Sequence, residues 1–178
     1  AFCYCSSLTS INIPGSVTEI GDGAFYDCSS LASINIPGSV TEIGDGAFHG
    51  TAWYDSLPDG LVYIGKVLYE YKGTMPANTS IEVKEGIVSI SPQAFDGCSS
   101  LTAITLPEGV TSIGNWAFYG CSSLTSITCK AITPPSVSMG TFDNANKSIP
   151  VYVPAESVDA YKAASGWKDF TNIQAIQL

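Results

Sequence analysis

The sequence predicts a repeat solenoid of stacked short parallel β-strands, and three observations lead to this fold class. Residues 10–25 read SINIPGSVTEIGDGAF, and residues 33–48 repeat the same letters after a period of 23 residues. A unit of this size cannot bury its own apolar side chains, so neighbouring units must stack to form a core. Phenylalanine also recurs at or near the same period, at Phe2, Phe25, Phe48, Phe95, Phe118 and Phe142.

Each unit is predicted to contain two short strands, two turns and one short helical turn. In the second copy, the alternation over 34–36 predicts a strand that points Asn35 outward, and Pro37-Gly38 ends it. Residues 40–43 form a second extended run. The turn at 44–46 then leads into Ala47-Phe48, where we expect a short helical turn. Equivalent residues of successive units should form ladders with a spacing of about 4.8 Å.

The middle of the chain departs from the period. The gap between Phe48 and Phe95 is two periods plus one residue, so another structure replaces a standard unit there. We expect an insertion at about 52–77, in which residues 61–71 form a β-hairpin that turns at Gly65-Lys66.

The insertion is rich in aromatic residues, for which two interpretations remain open. The rings either fill the space of the missing unit or form an exposed platform for a sugar ring or a partner loop. The residues concerned are Trp53, Tyr54, Tyr63, Tyr69 and Tyr71.

Both ends of the chain differ from the regular units. After Ser123 the repeat decays, and we interpret residues 146–178 as a C-terminal cap that closes the core, with helical character over 156–165. The chain starts in mid-repeat at Ala1 without a methionine. We therefore expect a single solenoid over 1–178 that is a fragment of a longer protein.

The consensus of the units, L-x-x-I-x-[IL]-P-x-x-V-T-x-I-G-x-x-A-F-x-x-C, resembles that of the BspA-type leucine-rich repeat family of bacterial surface proteins. The resemblance covers nearly the whole chain, including 60–76, 153–167 and 173–176 outside the regular units. It implies a right-handed leucine-rich-repeat solenoid, an extracellular or cell-surface location, and adhesion rather than catalysis. The implied partners are host-surface or matrix proteins, or neighbouring cells.

Composition and charge exclude several classes of function. Sixteen acidic residues against seven lysines and no arginine give a formal charge of −9, which argues against a nucleic-acid partner. No apolar run approaches the ~18 residues of a membrane span, so we expect no membrane insertion. A single histidine and no recognisable catalytic triad predict a protein that is not an enzyme and needs no cofactor.

Four cysteines share one repeat position, where the third copy has threonine: Cys5, Cys28, Cys98 and Cys121. We interpret them as buried thiols, because free cysteine behaves as a small buried apolar residue. Disulfides between adjacent copies remain an alternative, since stacking brings the cysteines close enough. No spacing typical of a zinc site is present.

Carboxylates of the first two copies also form pairs. Glu19 and Glu42, and likewise Asp22 and Asp45, lie one period apart on a shared edge. We interpret the Asp-Gly pairs as turns and expect no metal site. A Ca²⁺ site remains the alternative, because calcium takes several oxygen ligands.

The outward positions of the first strand are the best candidate for a binding face. Stacking makes them a flat sheet of small hydroxyl and amide groups, which either binds a partner or is only a soluble surface. The candidates are Thr9, Ser10, Asn12, Ser33, Asn35, Thr102, Thr105, Thr125 and Thr128.

These observations together predict an extracellular, non-catalytic module for binding or adhesion. Weak sites repeated along a rigid solenoid would give avidity without a deep pocket. The expected partners are extracellular proteins or glycans. A carbohydrate-binding module that uses the aromatic insertion, or a passive structural spacer, remains an alternative.

Overall fold

Each regular coil contributes one short strand to each of two parallel sheets, as the repeat predicts. The structure is a computed structural model that describes residues 1–177, so residue 178 of the expected cap lies outside it. The solenoid prediction is confirmed: the strands stack in parallel, and helices are few.

The first sheet position, here called face A, lies before the Pro-Gly turn of each coil. The first two strands pair with each other, and the other five form a continuous parallel sheet. The strands are β1 (Ser10–Asn12), β3 (Ser33–Asn35), β7 (Thr79–Glu82), β9 (Leu101–Leu106), β11 (Ser126–Cys129), β13 (Pro150–Val153) and β14 (Asn172–Ala175).

The second sheet position, face B, lies after that turn. One pair of strands again precedes a five-stranded sheet, which has an antiparallel strand at its edge. The strands are β2 (Glu19–Ile20), β4 (Glu42–Ile43), β5 (Gly60–Ile64), β6 (Val67–Lys72), β8 (Ser89–Ile90), β10 (Ser112–Ile113) and β12 (Ser136–Val137).

Equivalent residues of successive coils lie opposite each other. Asn12 pairs with Asn35 in the register of β1 and β3, and Ile104 pairs with Ile127 in that of β9 and β11. Because the side-chain period of a strand is two, this register keeps the apolar residues inside and the polar residues outside.

The third side of each coil consists of turns, not of the helical turns expected after the Asp-Gly pairs. The reason is backbone geometry: Gly46 and Gly50 have φ of 59° and 73°, in the left-handed region, and the residues between them are too few for a turn of right-handed helix. The phenylalanines at this side stack in two runs with ring centroids 5.2–5.6 Å apart and nearly parallel rings.

The insertion is a short helix followed by an antiparallel hairpin. Helix α1 (Ala52–Asp55) precedes β5, which pairs with β6 across the turn at Gly65-Lys66. Strand β6 also pairs in parallel with β8 and separates two cores. Val67 and Tyr69 belong to the N-terminal core, and Leu68 belongs to the C-terminal core.

The C-terminal residues close the second core. A 3-10 helix (Ala155–Ser157) and helix α2 (Val158–Ala163) follow β13, and the helix ends two residues earlier than Ser165. Tyr161 and Trp167 are fully buried; Tyr161 Oη donates to Ala131 O at 2.7 Å, and Trp167 Nε1 donates to Pro135 O at 2.9 Å. Strand β14 covers β13 in parallel register.

Candidate functional site

The outward residues of face A lie in two groups, one on each side of the hairpin. The members in the first two coils are exposed, whereas Thr102, Thr105 and Thr128 in the later coils are half-buried. Four of the nine candidate side chains make hydrogen bonds within the solenoid. Asn35 Nδ2 donates to Asn12 Oδ1 at 2.6 Å, and the Thr125 hydroxyl donates to the carbonyl of Thr102 at 2.9 Å. Face A keeps free donors, because five of the hydroxyls make no hydrogen bond within residues 1–177: those of Thr9, Ser10, Ser33, Thr105 and Thr128.

The aromatic residues of the insertion mainly fill space. Tyr54 and Tyr69 are buried, and Trp53, Tyr63 and Tyr71 are half-buried, so the five rings do not form an open platform. The physical reason is that they replace a missing coil. Tyr69 and Trp53 pack edge to face on Phe48, with ring centroids 5.7 Å and 5.0 Å from that of Phe48.

Face B contains a groove where the two halves of the chain meet. The Ser89 hydroxyl donates to the carbonyl of Thr41 at 2.6 Å, and Gln93 Nε2 donates to Asp45 Oδ2 at 2.9 Å. These bonds join residues 48 positions apart and bring the coil of β4 next to the coil of β8. The outward residues of both halves line one groove of about 270 Å³.

The groove has an acidic end and a hydroxyl-rich end. Glu19, Asp22 and Glu42 line the first, and serines of β8, β10 and β12 line the second, while no lysine of residues 1–177 is part of its lining. Glu19 and Glu42 are exposed and paired in register between β2 and β4. Two such charges at about 5 Å repel by about 0.8 kcal/mol in water, so a cation beside them is favoured.

The Asp-Gly pairs have a structural role. Asp22 Oδ1 accepts a hydrogen bond from the backbone N–H of Asp45 at 2.8 Å, and Asn115 does the same for Met139 at 3.1 Å. The side chain at this position thus caps the next coil. No group of three or more His, Cys, Asp or Glu side chains within residues 1–177 is arranged to hold a metal ion.

The six cysteines are free thiols. Cys28 and Cys121 are fully buried, and their thiols donate to the backbone carbonyls of Phe2 and Phe95. Burial raises the pKa of Cys121 to about 12 and that of Cys98 to about 11. Cys5 is exposed, contrary to the predicted burial, because its coil is packed by a neighbouring coil on one side only.

His49 is half-buried and has a specific partner. Its Nε2 lies 2.8 Å from Glu70 Oε2, which joins the second coil to β6. That hydrogen bond raises the pKa of His49, and the charges of Asp45 and Asp55 act in the same direction while partial burial opposes them. Within residues 1–177 no hydroxyl or thiol lies in hydrogen-bonding contact with His49.

A second surface feature lies on the turn side and was not singled out from the sequence. Gln93, Asp96, Trp116 and Tyr119 line a shallow cleft of about 280 Å³, and the two aromatic side chains are each 40% exposed. A signal was present in the sequence, because Trp116 occupies a position that is glycine in several other coils, such as Gly23.

None of the helices within residues 1–177 combines the length and apolarity needed to cross a bilayer.

Comparison with known proteins identifies the repeat. The family model of the BspA type leucine rich repeat region matches residues 1–74 and 64–165, with six copies. No curated protein matches the chain at a significant level.

Several solved structures also match over almost the whole chain. A leucine rich cell surface protein from Faecalibacterium prausnitzii is 21% identical, with a TM-score of 0.39 and coverage of 99% of this chain and 62% of that protein. A leucine-rich repeat protein from T. pallidum is 27% identical, with a TM-score of 0.37 and coverage of 94% and 71%. One from Bacteroides ovatus is 22% identical, with a TM-score of 0.33 and coverage of 97% and 55%. The chain thus spans less than two thirds of the length of the first and third proteins.

Proposed function

Because the chain belongs to the BspA-type leucine-rich repeat family, we propose that it is a non-catalytic binding module of an extracellular or surface-attached bacterial protein. Its role is adhesion through contacts with other proteins. The observation that carries this proposal is the groove of face B, which offers carboxylates and hydroxyls on one continuous surface, with no cationic side chain of residues 1–177 in its lining.

The charge of the groove indicates the chemistry of the partner. Glu19 and Glu42 stand side by side and exposed, so a lysine or arginine of a partner relieves their mutual repulsion. The formal charge of −9 attracts basic surfaces over a longer range and accelerates association at low salt. We therefore infer that the groove binds an extended basic segment of a partner protein.

The hydroxyl-rich end suits an extended backbone. Ser112 and Ser136 lie opposite each other in neighbouring strands and have partly or fully exposed side chains. Such groups donate to and accept from peptide groups without imposing a charge. The groove thereby combines charge recognition at one end with peptide recognition at the other.

The experiment measures binding of a dye-labelled hexalysine peptide by fluorescence anisotropy. We expect saturable binding that weakens as salt rises from 20 to 300 mM, because salt screens exposed charges over about 10 Å at 0.1 M. The double variant Glu19→Gln/Glu42→Gln should weaken binding about 5- to 30-fold, which corresponds to about 0.5–1 kcal/mol for each exposed charge.

The control variant is Glu108→Gln/Glu156→Gln, which changes the net charge equally at two exposed sites outside the groove. It should weaken binding less than about twofold, since a distant exposed charge is screened. Equal losses in the two double variants would show that only net charge attracts the peptide, and would overturn the assignment of the groove.

A further inference from the structure

Trp116 occupies a backbone conformation that normally favours glycine. Its φ is 53°; at the equivalent position Gly23, Gly46 and Gly140 have φ between 56° and 68°, and Gln93 has φ of 57°. A bulky residue in the left-handed region is rare, and such outliers concentrate at functional sites. Trp116 is not part of the buried core, since 40% of it is exposed.

The position of the Trp116 side chain is set by its neighbours. A Cβ at Gly140 would lie only 2.4 Å from Trp116 Cδ1 and Nε1, so the absence of a side chain there gives the indole its place on the surface. Tyr119 follows in the same turn, and its backbone N–H donates to the carbonyl of Trp116 at 3.1 Å. Two exposed aromatic side chains are thus held on one hydrogen-bonded turn.

Polar groups from the preceding coil complete the cleft. Asp96 is exposed, and its carboxylate makes no hydrogen bond or ion pair with other side chains of residues 1–177. Gln93 lies beside it and is held by the bond from its Nε2 to Asp45. The cleft of about 280 Å³ is close to the lower limit of small-molecule sites, which measure about 300–1,000 Å³.

This combination fits a sugar. The faces of a pyranose ring carry C–H groups that pack on aromatic rings, and its hydroxyls donate to a carboxylate or an amide oxygen. We propose that Trp116, Tyr119, Gln93 and Asp96 bind a neutral sugar residue of a glycan. A neutral sugar is specified because the carboxylate of Asp96 and the negative net charge repel acidic sugars. This site is separate from the groove of face B.

The test follows the three tryptophan indole N–H signals of the ¹⁵N-labelled chain by NMR. The probes are cellohexaose, chitohexaose, mannohexaose and β-1,4-galactohexaose, each added up to about 10 mM, which covers weak binding. We expect at least one of them to shift the Trp116 signal in a saturable way. The signal is assigned by its loss in Trp116→Gly, a variant that has the residue found at this position in three other coils.

Variants then locate the binding. Trp116→Gly should weaken it at least about tenfold, as expected for an aromatic anchor, and Asp96→Asn should weaken it less. The control is Tyr26→Ala, which removes a ring of comparable exposure (38%) from an earlier coil and should change affinity less than about twofold.

Two results would overturn the proposal: no probe shifts the Trp116 signal, or glycan binding survives in Trp116→Gly. Hexalysine binding should be the same in Trp116→Gly and the parent chain. The failure of the sugar site is therefore distinguishable from the failure of the groove.

Discussion

At the scale of single residues, burial makes most of the thiols inert. Cys3 and Cys5 are exposed, whereas Cys28, Cys121 and Cys129 are buried and Cys98 is half-buried. Since the thiolate is the reactive form, a pKa of about 11 at Cys98 leaves only about 0.1% thiolate at pH 8.

We predict that Ellman's reagent at pH 8 modifies two thiols rapidly in the folded chain and the other four only after unfolding. The measurement is the number of thiols released before and after addition of guanidinium chloride, on protein kept reduced until the assay. Rapid reaction of four or more thiols in the folded chain would contradict the burial of the cysteine ladder.

The contact between His49 and Glu70 makes stability depend on pH. The hydrogen bond that His49 donates to Glu70 raises the pKa of His49, so the folded chain binds this proton more tightly than the unfolded chain does. The stabilisation is present below the unfolded pKa of about 6.5 and is lost as pH rises through the folded pKa. Because both groups are partly exposed, we expect it to be less than about 1 kcal/mol.

The prediction is that His49→Gln costs more stability at pH 5.5 than at pH 8. Urea unfolding of the parent and the variant at both pH values gives the two differences, and other titrating groups cancel between parent and variant. A loss of stability that is the same at both pH values would show that the contact with Glu70 does not depend on the proton.

At the scale of the element, strand β6 replaces one coil and supplies a hydrogen-bond acceptor that the missing coil would have supplied. In regular coils the N–H of each ladder phenylalanine donates to the next coil, as Phe25 does to the carbonyl of Ala47 at 2.8 Å. Phe48 has no such carbonyl and donates to the Tyr69 hydroxyl at 3.2 Å. Burial raises the pKa of Tyr69 to about 12, so this hydroxyl stays protonated at neutral pH.

We predict that Tyr69→Phe destabilises the chain by about 1–3 kcal/mol, because it leaves the buried N–H of Phe48 without an acceptor. Denaturant unfolding measures the loss of free energy.

The matched control is Tyr71→Phe, on the same strand, where the ring is half-buried and the hydroxyl makes no hydrogen bond within residues 1–177. It should change stability by less than about 0.5 kcal/mol. Equal losses in the two variants would remove the special role of the Tyr69 hydroxyl.

At the scale of the whole molecule, the repeat and the hairpin could be predicted from the sequence, whereas the single contacts that join the two halves could not. The period placed Asn35 against Asn12 and Ile127 against Ile104, because stacked copies share one register. The joining of the two halves depends on single contacts such as that of Ser89 with Thr41. No periodic signal marks such a contact, so the groove could not be foreseen.

The two candidate sites differ in how much of each can be predicted from the sequence. The carboxylates of Glu19 and Glu42 were recognised as a pair, but their place in a groove depends on the join between the two halves. The repeat consensus does not indicate Trp116, because a consensus records the residues that coils share and this residue occurs in one coil only. Comparison with Gly23 and Gly46 at the same backbone position would have singled it out.

The identity of residues 10–25 and 33–48 has a consequence for how the length of such a chain varies. Over these residues, the contact of the first coil with the second is the same as that of the second with another copy of itself. Duplication of one period there would lengthen the solenoid by one coil and create no new kind of interface. Strand β6 limits this freedom, since a copy inserted between the second coil and the hairpin must still end with its phenylalanine under Tyr69. Growth by duplication is therefore open at the first two coils and restricted where the two cores meet.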